Sequence, residues 1–187
     1  MLDFRREVIG SYYIGDVEIV DIQPSDSVGE TDLMLDFGGY FQPFPYAEKI
    51  WRRWASGVPV ERDEWRTLPA EWHDSWLHVV QTAWFEAGRM PTVYEPKDSY
   101  MIDGNGMVNT DSFYCALGEA INGPGGYFGS NLDALDDCLW HAVDSHGPFE
   151  LVWRNFHVAE NNLGESEIAQ IIAVFRDHDV RLTLQRS

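Results

Sequence analysis

Three carboxylates on one short stretch are the residues of this chain best suited to chemistry: Asp133, Asp136 and Asp137 within Ser130-Asn131-Leu132-Asp133-Ala134-Leu135-Asp136-Asp137-Cys138-Leu139-Trp140. Ser130 and Asn131 are types that cap helices by accepting the free N–H groups of a first turn, so a helix is expected to start here. In that helix Leu132, Leu135 and Leu139 recur at three- and four-residue spacing as an apolar stripe, while Asp133 and Asp137 share another face with Asp136 beside them. Like charges four apart repel by roughly 0.2–0.5 kcal/mol, and only Asp133 is near enough to the positive helix end to be helped by it. Folding does not call for this arrangement. It is either a solvated acidic face or a rigid carboxylate cluster presented to something cationic.

Catalysis by the cluster is disfavoured, because paired acids in hydrolytic or metal-dependent sites converge across a cleft whereas neighbours on one helix diverge. No metal or cofactor is expected. His73, His78, His141, His146, His157 and His178 form no HExxH, and the pairs at five-residue spacing do not share a helical face. The preceding loop, Gly123-Pro124-Gly125-Gly126-Tyr127-Phe128-Gly129, has the outline of a phosphate cradle, but it lacks a Lys-Ser/Thr ending and leads into three aspartates. There is no GxSxG, and neither cysteine has a triad-like setting.

The run from Tyr127 to Leu139 resembles the loop and second helix of the barstar family, intracellular inhibitors of secreted ribonucleases. The likeness continues in order through Leu151-Val152-Trp153-Arg154 and Val174-Phe175-Arg176-Asp177. The resemblance implies a three-stranded parallel sheet with helices in the C-terminal half. It implies partner-binding roles for Tyr127, Asn131, Leu132, Asp133 and Asp137, with Asp137 standing in for an RNA phosphate in the enzyme's basic cleft. Asp136, where the family carries a tryptophan, Trp140, and Asp177, where it carries a glutamate, are counted on the same face. The expected function is an inhibitor or immunity protein for a basic ribonuclease or ribonuclease-like toxin, not an enzyme. A binding module for an unrelated basic effector, or a carbohydrate-binding or carbohydrate-acting protein, are the alternatives.

Charge points the same way. The 187 residues include 31 acidic and 13 basic side chains, a net charge of −18, which argues against a nucleic-acid backbone or an anionic membrane and favours a basic partner. No basic start followed by an apolar run signals export, so a cytoplasmic location is expected. Cys115 and Cys138 fall on apolar helical faces without a CxxC pattern and read as buried thiols.

Two regions are expected to position the cluster: residues 1–97, a Trp-rich α+β extension, and 98–187, a barstar-like domain. In the first, a hairpin about Gly15-Asp16 is expected over 7–22, then a strand over 33–37 broken by Gly38-Gly39. Pro45 is placed in the first turn of a helix carrying Ile50, Trp51 and Trp54 and ending at Gly57-Val58-Pro59, and a longer helix spans Pro69 to Ala87 with Trp72, Trp76, Val80 and Trp84 stepping by four. Six of the eight tryptophans lie between Trp51 and Trp84; an aromatic platform is conceivable, but helical spacing favours a packed core. Gly88 to Lys97 is the linker, unless Val93-Tyr94 forms a strand. From Ser99 the expected order is β-α-loop-α-β-α-β, with Asn109 or Thr110 capping the first helix.

Overall fold

The computed structural model describes residues 1–12, 17–25, 29, 31–37, 44–56 and 61–186. The chain begins with a single antiparallel bridge between Leu2 and Val8. Strands β1 (Val17–Pro24) and β2 (Thr31–Phe37) then pair antiparallel, Glu18 opposite Asp36 and Ile22 opposite Leu33. This corrects the expected hairpin over 7–22: residues 17–24 pair forward with β2, and the proposed turn at Gly15-Asp16 lies outside the described residues. Alternation fixes the pleat of a strand but not which neighbour it joins. Ile19, Val20, Ile22, Leu33 and Met34 are exposed on this ribbon.

Helix α1 (Ala47–Ala55) buries Ala47, Ile50 and Trp51. Its N-cap is Tyr46, so Pro45 sits just outside the helix rather than in its first turn; the expected stop at Gly57-Val58-Pro59 lies outside the described residues. Two short 3-10 turns follow, at Glu64–Thr67 and Ala70–Trp72. Helix α2 (His73–Glu86) buries Trp76, Leu77, Val80 and Trp84 on one side. Its first expected turn is 3-10, and Trp72 there is half-buried, stacked on Tyr46 with centroids 4.6 Å apart. Trp51, Trp65, Trp76 and Trp84 are core, each contributing roughly 2–3 kcal/mol through removal from water. Residues 87–98 form no strand. Asn122 secures them instead, its amide donating to Thr92 O at 2.9 Å and accepting from the Tyr94 N–H at 3.1 Å.

Strand β3 (Ser99–Asp103) leads into α3 (Thr110–Asn122), whose cap is Asn109: its side chain accepts from the Ser112 N–H at 2.9 Å, and the Ser112 hydroxyl receives the Asn109 N–H in return. Then come α4 (Leu132–His146), β4 (Glu150–Arg154), α5 (Phe156–Leu163), α6 (Glu165–Asp177) and β5 (Arg181–Leu184). The sheet is parallel in the order β3-β4-β5, with Tyr100 opposite Leu151 and Ile102 opposite Trp153. The fold is α/β with an α+β segment ahead of it. Helix α5 is an addition to the expected order; Asn155, in the left-handed region at φ 49°, turns the chain from β4 directly into it.

Helix α2 packs on α3 across the expected boundary at Lys97, and one apolar cluster runs from Ala47 to Val180. Glu119 of α3 is buried at this junction, where its Oε2 accepts from the Asp63 N–H at 2.8 Å and the Trp65 indole at 3.3 Å.

Candidate protein-interaction face

The acidic helix α4 is fixed at its start by short-range contacts. Asn131 is the N-cap, its Oδ1 accepting from the Ala134 N–H at 2.8 Å. Gly129, at φ 94°, lies so close to the first turn that a Cβ there would stand 3.0 Å from the Leu135 backbone. The glycine loop is pressed equally tightly on α3, where a Cβ on Gly118 would meet Gly126 O at 2.2 Å. Two helices therefore hold the loop from either side.

The inward face of α4 buries Leu135, Cys138, Leu139 and Ala142, and both cysteines are free and buried. Burial, and after it the neighbouring Asp137 charge, pushes the Cys138 thiol up to about 12, so it stays protonated and unreactive. Outward stand Asp133, Asp136, Asp137 and Trp140, all exposed, Trp140 at 57 %. Asp133 and Asp137 take part in no ion pair among the described residues, so the charge on this face is left uncompensated. Asp136 differs: its Oδ1 lies 2.8 Å from His178 Nε2 at the end of α6. Asp177, the last residue of α6 and the sequence neighbour of His178, is exposed. Such an array of fixed carboxylates can accept charge-assisted hydrogen bonds from arginines and lysines.

Among the described residues no group of three or more His, Cys, Asp or Glu side chains could hold a metal ion, and no helix is long and apolar enough to cross a membrane.

Residues 98–186 match the family model described as Barstar (barnase inhibitor). This half of the chain is a barstar-family domain. No curated protein and no solved structure matches the chain.

The barstar domain gathers most of the site residues expected from sequence. Asn131, Asp133, Asp136, Asp137, Trp140 and Asp177 are exposed and Leu132 is half-buried at the start of α4. Tyr127 does not reach that surface. It is 2 % exposed, its ring meeting Phe85 of α2 edge-on at 5.4 Å and its hydroxyl 3.4 Å from Ser130 Oγ; burial pushes the phenol up to about 12. Phe85, from the region before Lys97, adds an edge-on contact to the cover that Asn122 and Ser130 already give it.

Sequence reasoning missed three neighbours of α4. Tyr114 of α3, Thr110 at the start of that helix, and Glu167 of α6 line a recess with Ser130, Asn131, Leu132 and Asp133. Tyr114 lies beside Phe113 within a run of core residues, and no spacing rule separates a phenol facing a recess from one filling a core.

Proposed function

We propose that the barstar-family domain inhibits a basic ribonuclease, or a ribonuclease-like toxin, by setting the carboxylates of α4 into the enzyme's phosphate-binding cleft. The observation that carries this reading is the outward, uncompensated pair Asp133 and Asp137, four residues apart on a helix fixed at its cap. The family description supports the partner class, and the net charge of −18 supports attraction to a basic protein. On this reading the protein is an inhibitor or immunity protein rather than an enzyme and acts in the cytoplasm. Association is fast and weakens with salt, because opposite fields steer the encounter.

The experiment mixes purified protein with microbial guanyl-specific ribonucleases and follows RNA cleavage. Inhibition that Asp137→Ala weakens about ten- to hundred-fold, the worth of a hydrogen bond to a charged group, supports the reading. Absence of inhibition by wild type, or an Asp137→Ala variant that inhibits equally well, overturns it.

The covered Tyr127 favours one second reading, in which the same face serves an unrelated basic effector. Recovery of a basic protein without nuclease activity from the native host, by pull-down sensitive to Asp137→Ala, would select it.

A further inference from the structure

The antiparallel ribbon of β1 and β2 has two chemically distinct faces, because directly paired residues point to the same side. Ile19 with Leu35 and Ile22 with Leu33 stand on one face; Glu18 with Asp36, Asp21 with Met34 and Gln23 with Asp32 stand on the other. The first face is apolar and the second is acidic. None of these apolar side chains belongs to the cluster that runs through the fold, and Ile19, Ile22 and Leu33 are 55 %, 60 % and 51 % exposed. Among the described elements each strand packs appreciably only on the other. A two-stranded ribbon with a bare apolar face is marginal in water, and a third strand would complete both its face and its hydrogen bonding.

The two outer edges are not equivalent. β1 is bulged between Ile19 and Asp21, its Ile22 N–H donates to Asp21 Oδ1 at 2.8 Å, and it ends in Pro24. Bulges and prolines close an edge to further pairing. β2 runs through seven residues without a proline, and among the described residues it has no strand on its outer side. The open edge is therefore that of β2.

Charge decides what this edge accepts. No Lys, Arg or His occurs between Arg6 and Lys49. Glu18 lies directly opposite Asp36, a like-charge pairing that costs stability, and none of Glu18, Asp21, Asp32 and Asp36 joins an ion pair among the described residues. A second copy of the chain is a poor occupant. Whether antiparallel about Met34 or parallel in register, two β2 strands would set aspartates against aspartates, and each chain brings a net charge of −18.

We propose that the outer edge of β2 is an acceptor site for an extended segment of a basic protein in which Lys or Arg alternates with apolar residues. The segment pairs its backbone with the free N–H and C=O groups of β2, extends the apolar face of Leu33 and Leu35, and lays its cations beside Asp32 and Asp36. This site lies before the matched residues 98–186 and does not depend on the inhibitor reading.

The probe is the acetylated, amidated peptide Lys-Val-Lys-Val-Lys-Val-Lys, titrated into the full isotope-labelled chain while amide resonances and hydrogen exchange are followed. Saturable shifts over 31–37 are expected, with slowed exchange of the β2 amides that face away from β1. Three control peptides carry Glu in place of Lys, the same residues in separate blocks of Lys and Val, or N-methyl groups throughout. Each binds at least about tenfold more weakly. Asp32→Asn with Asp36→Asn weakens binding about tenfold, and so does Leu33→Ser with Leu35→Ser. Both double variants keep the wild-type resonances of 98–186, since the ribbon lies outside the apolar cluster. Equal binding of the block or N-methylated peptide would reduce the effect to charge attraction and overturn the site. So would the absence of saturable shifts, shifts that fall outside the ribbon, or double variants that bind like wild type. Sedimentation showing a dimer that Leu33→Ser with Leu35→Ser dissolves would give the edge to a second copy and overturn the proposal as well.

Discussion

His178 Nε2 lies 2.8 Å from Asp136 Oδ1, joining the end of α6 to the middle of α4. The pair is lopsided, since the imidazole side chain is 14 % exposed and the carboxylate 58 %, so the aspartate reaches from the surface to a sheltered partner. It takes one of the three helix carboxylates out of the set offered to a partner.

From this pairing, Asp136→Ala lowers the unfolding free energy by about 1 kcal/mol, the worth of one side-chain hydrogen bond with a solvent-exposed partner. Urea denaturation measures it. A loss above about 2 kcal/mol would show that the contact anchors α6 to α4 rather than decorating it.

Asp133 and Asp137 have no such partner, so neutralising them relieves repulsion instead of breaking a bond. Asp133→Asn also gives up the attraction of the positive helix end and so gains nothing, whereas Asp137→Asn, beyond the first turn, is as stable as wild type or more stable by roughly 0.2–0.5 kcal/mol. The association of each variant with a basic partner is slower and less dependent on salt, read by stopped-flow mixing at two ionic strengths.

At Gly129 the backbone stands at φ 94°, with the Leu135 backbone 3.0 Å from where a Cβ would lie. Gly129→Ala therefore combines an unfavourable conformation with a contact against main chain that cannot swing away. The expected cost is roughly 1–3 kcal/mol in chemical denaturation, accompanied by shifted resonances in the first turn of α4.

Glu119 gives a pH prediction. Burial raises its carboxyl above the usual value, outweighing the backbone hydrogen bonds from Asp63 and Gly125 and the one from the Trp65 indole, which favour the charged form. With the folded value above the unfolded one, the folded state binds the proton more tightly. Its contribution is fully present below the ordinary glutamate range near 4.5 and declines as pH rises through the raised value. Glu119→Gln keeps an acceptor for Asp63 and Trp65 and removes the titration. The variant gains stability relative to wild type as pH rises from about 4 to 7, read by thermal melts across that range. A variant less stable than wild type at pH 7 would show that the charged carboxylate is favoured there.

Local signals in the sequence located the elements around the acidic helix well. Asn109 and Asn131 both cap as their types demand, and Tyr100, Leu151 and Leu182 mark the three parallel strands. Pairings between distant segments were not legible. Nothing local shows that 17–24 joins 31–37, that Phe85 covers Tyr127, or that His178 reaches Asp136 across 42 positions. Helix α5 was missed because Phe156-His157-Val158 directly follows a strand, with only the left-handed Asn155 between them. The family likeness counted Tyr127 among the partner-binding residues, and its burial against neighbours that include Phe85, a residue before the matched segment, was not legible from that likeness.

The backbone contact of Gly118 with Gly126, together with that of Gly129 with Leu135, bears on the energetics of recognition. A loop wedged between α3 and α4 gives up its freedom when the chain folds, so little remains to be lost when a partner arrives. A helix held this way is preorganised before any partner arrives, and variants that leave its charge unchanged are expected to differ in how long complexes last more than in how often they form.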